Sequence, residues 1–108
     1  MLKFVFVFLI SFVSMTFSAH ADSIDGDWCS EDGRSLTIDG QDIRTPSGER
    51  VTGEYGRHSF RYIGPIGGPE EAHDVRMLLW SEDDMRIERI VDGAKQPVEM
   101  WRRCKPIA

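Results

Sequence analysis

The chain has 108 residues, 41% of them hydrophobic, with 13 Lys and Arg against 18 Asp and Glu, a net charge of −5 and an isoelectric point near 5.1. That length allows one domain, and the acidic balance opposes nucleic-acid binding, which needs cations to neutralise phosphates. The totals conceal a division: residues 1–21 hold five of the six Phe and one charged side chain, Lys3, which leaves 87 residues (108 less 21) with 12 basic and 18 acidic side chains.

Residues 1–21 predict a cleaved signal peptide. Lys3 forms a short positive start, residues 4–17 an almost unbroken apolar run, and Ala19-His20-Ala21 the small-x-small pattern of a signal-peptidase site. The run is shorter than the roughly 20 residues that span a bilayer, no basic stop-transfer cluster follows, and no Cys stands at the cleavage point for lipid attachment. The expected product is a domain of residues 22–108, periplasmic or secreted, with no membrane span after cleavage.

From residue 22 on, turn signals recur at short intervals. Asp-Gly stands at 25–26, 32–33, 39–40 and 92–93, with further breaks at Pro46-Ser47-Gly48, Gly64-Pro65-Ile66-Gly67-Gly68-Pro69 and Ser81-Glu82-Asp83-Asp84. The segments between them are too short for ordinary helices and alternate with period two, as in Leu36/Ile38, Phe60/Tyr62 and Val75/Met77/Leu79. Strands are predicted at about 24–30, 34–38, 41–45, 50–55, 57–63, 74–80, 85–91 and 98–104. Consecutive strands of this kind make an all-β antiparallel meander, which closes into a seven- or eight-stranded barrel or a sandwich.

Cys29 and Cys104 are the two cysteines, 75 positions apart, and in an exported chain of this size an isolated pair reads as a structural disulfide. The bond sets the faces of the terminal strands. If both sulfurs lie on one face, Trp28 and Trp101 share the other, interior face, and Arg103 falls beside Trp28. Glu99 then points inward and Met100 outward, against the usual alternation, which suggests a bulge. Gly26-Asp27-Trp28 with Arg103 resembles the closure of the calycin barrels, a Gly-x-Trp under an Arg of the last strand, and implies a cation–π contact there.

A second resemblance is to the C-type lysozyme inhibitor barrels of Gram-negative bacteria, which are exported, all-β and joined by a cysteine of the first strand to one after the last. Their Ser-Gly-x-Lys/Arg-Tyr loop is matched by Ser47-Gly48-Glu49-Arg50, with Val51 in the place of Tyr. The resemblance implies that Ser47 and Arg50, in the turn over 45–50, contact a carboxylate-lined cleft. The acidic remainder of the chain would steer a basic enzyme toward it.

Enzyme chemistry finds little footing. There is no Gly-x-Ser-x-Gly elbow, no Cys left over for a Cys–His pair and no Gly-rich phosphate loop. His58 lies in a strand among aromatic residues, and His73, in Glu70-Glu71-Ala72-His73-Asp74, follows no metal-ligand spacing, so that segment reads as a solvated acidic loop. No catalytic residue, metal or cofactor is expected. In the strand over 74–80, Leu78 and Trp80 point away from the core face, with Ile90 beside them. Either the loop over 64–69 covers them through Ile66, the favoured expectation, or they form a partner-binding patch. Arg57 and Arg61 form a small basic stripe expected to pair with neighbouring acids. The reading is of a non-enzymatic binding protein with a protein partner, hydrolase inhibition being its sharpest form. An envelope carrier of a small ligand or metal is the alternative, and an enzyme of unrecognised type comes third.

Overall fold

The alternation condenses into ten strands in the computed structural model, which describes residues 23–105; the signal peptide expected over 1–21 lies outside them. The strands are β1 (Gly26–Cys29), β2 (Ser35–Asp39), β3 (Asp42–Arg44), β4 (Arg50–Thr52), β5 (Glu54–Gly56), β6 (Ser59–Ile63), β7 (Asp74–Leu79), β8 (Asp84–Val91), β9 (Ala94–Lys95) and β10 (Glu99–Arg103). All pair antiparallel in the order β4-β3-β2-β1-β10-β8-β7-β6-β5, with β9 returning on β8. No helix among the described residues is long and apolar enough to cross a membrane.

The two ends of this order, β4 and β5, are consecutive in the chain. The segment expected as one strand over 50–55 is therefore a corner: its first half pairs with β3 and its second with β6, so the sheet curls into a nearly closed barrel. The bend sits at Gly53, whose N–H donates to the Gln41 carbonyl at 2.8 Å. A Cβ there would stand 2.5 Å from the Arg61 carbonyl oxygen and 2.6 Å from the Phe60 ring, so only glycine fits.

The last expected strand, 98–104, forms undivided as β10 and runs in regular register with β8 from Glu99 to Arg102, so Glu99 turns inward with no bulge beside Met100; the short β9 before it is not among the expected strands. From the Ile90–Lys95 pair to the Ile87–Glu99 pair, four steps of the returning chain face three of β8, a one-residue bulge. It contains Pro97, which has no N–H for the ladder. The preceding turn, Asp92-Gly93, has positive φ at both residues (53° and 78°), the twist a two-residue hairpin needs.

The inward residues of every long strand fill the barrel. Ile24, Trp28, Leu36, Ile38, Ile43, Phe60, Tyr62, Val75, Met77, Met85, Ile87 and Trp101 are all buried, each large apolar side chain contributing roughly 1.5–3 kcal/mol. Ile24 closes one end, its N–H bonded to the Arg57 carbonyl and its own carbonyl accepting the Trp28 indole N–H at 2.9 Å. Cys29 and Cys104 are bonded across the outer face of β1 and β10, their Cα atoms 4.9 Å apart. Trp28 pairs with Arg103 and both tryptophans point inward, the arrangement that the parity argument requires.

Candidate functional site

At the Ile24 end Arg103 holds the segment that leads into β1. Its guanidinium lies 4.1 Å from the centre of the Trp28 ring and donates to the carbonyls of Glu82 (2.8 Å), Ser23 (2.7 Å) and Asp25. Burial pushes its pKa down. Arg102, on the outer face, pairs with Asp84 at 3.3 Å.

The opposite end carries a charge network that the sequence reading missed. Glu70, in the loop over 64–73, is buried and accepts from the Tyr62 hydroxyl (2.7 Å) and from Arg89. Arg89, also buried, donates through Nε to Glu99 at 2.8 Å. Glu99 accepts from the Trp101 indole (3.0 Å) and from Arg34 (3.1 Å), and Arg34 stacks 5.0 Å from the Trp101 ring centre and pairs with Asp32. Burial, joined by the Glu70 charge, drives the Tyr62 hydroxyl far up. Burial also pushes Glu99 up, but hydrogen bonds from Trp101 and Arg89 outweigh it and hold the carboxyl below its ordinary range. Glu70 therefore belongs to a buried network, not to a solvated acidic loop, and the inward Glu99 is fully used. Every charge in the network is paired, so it binds the loop over 64–73 to the barrel. The available signal was parity: Arg89 is in frame with Met85 and Ile87, and Glu99 with Trp101.

Ser47 stands at the exposed tip of its turn, but its hydroxyl is engaged there, 3.0 Å from Thr45 Oγ1 and donating to Glu49 at 3.0 Å. Arg50 is on β4, directly opposite Arg44, both exposed. On the other side of the barrel Arg61 and Arg76 also face each other, across β6 and β7. There Asp74 bonds both guanidiniums, Arg61 at 2.9 and 3.1 Å and Arg76 at 3.0 and 3.4 Å, and these bonds lower its pKa to about 2. Arg61 also pairs with Glu54.

The outward face of β7, β8 and β10 is uncovered, contrary to the favoured expectation. Leu78 is 45%, Trp80 60% and Met100 47% exposed, while Ile66 is 93% exposed and covers nothing. The physical reason is strand direction. The loop over 64–73 enters β7 at Asp74, and Leu78 lies four residues further on, about 13 Å at 3.3 Å per residue. Ile90 does not join them either, since the register sets it opposite Asp74 and Lys95. The register instead aligns Leu78, Arg86 and Met100 in one cross-strand row, with the Arg86 guanidinium 5.7 Å from the Trp80 ring centre. A cleft of about 330 Å³ lined by Arg76, Met77, Leu78, Arg86 and Glu88 lies alongside.

Among the described residues no group of three or more His, Cys, Asp or Glu is placed to hold a metal ion. No family model, curated protein or solved structure matches the chain.

Proposed function

We propose that the chain is an exported, non-enzymatic binding protein whose partner is another protein, held on the outward face of β7, β8 and β10. The observation that carries this reading is the row Leu78–Arg86–Met100 with Trp80 beneath Arg86. A sheet face turned only to water is expected to be polar, whereas Trp, Arg and Met are the residue types enriched where partners meet. Arg86 has no ion pair among the described residues, so the complementary surface carries an acid beside apolar side chains. The filled interior favours recognition on the outside over carriage of a small ligand within. Export is supported by the Lys3, 4–17 and Ala19/Ala21 pattern together with the disulfide. Inhibition of a hydrolase such as lysozyme is one form of the reading, since an acidic surface gains on-rate with a basic enzyme.

The test is retention from envelope extract and secreted fluids on immobilised residues 22–108, beside a Trp80→Ser/Arg86→Ser variant. A protein held by the first and lost from the second is expected; equal retention on both, or none, removes the reading. Unchanged lysis in a turbidity assay at micromolar protein removes the lysozyme form alone.

A further inference from the structure

We infer that Arg44 and Arg50 form an open clamp for a carboxylate, on a different side of the barrel from the proposed partner face and independent of it. The two residues are a register pair on the outer face of β3 and β4. Like charges directly opposite in a sheet are destabilising unless something offsets them. This protein shows what the offset is. The equivalent pair, Arg61 and Arg76, is bridged by Asp74, whose two oxygens accept from both guanidiniums. Neither Arg44 nor Arg50 forms an ion pair among the described residues.

Asp42 occupies the position on β3 that Asp74 occupies on β7, two residues before the arginine. It is committed elsewhere: it accepts from the Thr52 hydroxyl at 3.1 Å and faces Asp39 across the β2–β3 hairpin. The arginines also flank an open groove of about 320 Å³ whose lining includes Thr37, Asp39 and Asp42. An external carboxylate entering beside Arg44 and Arg50 takes the role Asp74 plays internally, receiving charge-assisted, fork-like bonds from two planar donors. Asp39 and Asp42 repel it from the far end of the groove, so the clamp selects an acid whose charge is concentrated at one end.

The carboxylate can belong to a free organic acid or to a protein side chain. Residues 22–108 labelled with 15N are titrated with succinate and, separately, with the peptide acetyl-Glu-Ala-Glu-amide, against sodium chloride at matched ionic strength. Saturable shifts of the Arg44 and Arg50 side-chain N–H signals are expected; saturation by either acid supports the clamp and identifies the source. Arg44→Gln and Arg50→Gln each weaken binding by about tenfold or more, as loss of a charge-assisted bond requires, while Arg102→Gln, at an exposed arginine already paired with Asp84, leaves it unchanged. Without ligand and at low salt, both clamp variants melt at higher temperature than the parent because the repulsion is gone. Asp42→Asn tightens binding. Shifts that are linear and equal to those with chloride, or binding that persists in Arg50→Gln, overturn the proposal. So does an Asp42→Asn loss of stability matching that of Asp74→Asn, since Asp42 would then be the internal counter-ion.

Discussion

Replacing Arg89 by Met tests the charge network at the loop end of the barrel. Arg89 is 8% exposed and is the cation between Glu70 and Glu99. Met keeps most of the apolar stem and removes the charge, leaving two carboxylates beside each other in a partly dry site. Removing one partner of a buried ion pair costs about 3–5 kcal/mol, a large share of the 5–15 kcal/mol that holds a domain together. The triple change Glu70→Gln/Arg89→Met/Glu99→Gln should recover most of the loss, because the cost is that of stranded charge and not of missing attraction. The pH dependence separates the variants further. In the parent, Glu99 is held below its ordinary pKa, so its contribution is complete above about pH 4.3 and is lost as pH falls through the lower folded value. In Arg89→Met one of the bonds that lower Glu99 is gone, while those from Trp101 and Arg34 remain and burial still opposes them. The gap between the folded and unfolded values of Glu99 narrows, so the variant loses less stability than the parent as pH falls from about 5 to about 3. Urea unfolding followed by Trp fluorescence measures both effects. Hydrogen exchange at the Gly64, Ala72 and His73 amides, which are bonded within the loop, reports its release. A loss under about 1 kcal/mol, the scale of an exposed pair, with parent-like pH dependence would show that the network does not hold the loop.

Four shorter expectations accompany it. Cys29→Ser/Cys104→Ser should lower stability by about 4.5 kcal/mol from loop entropy over 75 residues, read as a shift in denaturant midpoint. Arg103→Ala should cost about 2 kcal/mol or more, since it removes charged donors to three carbonyls and the cover of Trp28. Arg102→Ala, exposed and among the described residues paired only with Asp84, should cost less than about 1 kcal/mol, and reversed midpoints would disprove the register. Gly53→Ala should cost about 1–3 kcal/mol by overpacking the corner, checked by thermal melting. Mass spectrometry of protein from the producing cell should find Asp22 as the first residue, and an intact 1–21 on exported protein would refute cleavage.

Much of the fold was legible because its causes are local. Period-two alternation and Asp-Gly turns specify strands within a few residues of themselves, and a disulfide adds one long-range parity constraint. From that constraint alone Arg103 falls over Trp28 and Arg102 outside, since successive side chains of a strand take opposite faces. Other features depended on contacts that no local pattern encodes. The strand over 50–55 breaks at Gly53 because its halves meet different partners, β3 and β6, which approach only once the sheet has curled. Glu70 looked like solvated loop charge because its counter-ion, Arg89, lies 19 positions away on a strand facing inward. Leu78 and Trp80 are bare because β7 runs away from the loop that precedes it, and Arg50 stands opposite Arg44 because the β3–β4 register pairs them, while Asp42 is bonded to Thr52. Sequence alone determined which side chains turn inward or outward; sheet order, strand direction and the register of distant strands decided which of them meet, because those depend on closing the whole barrel.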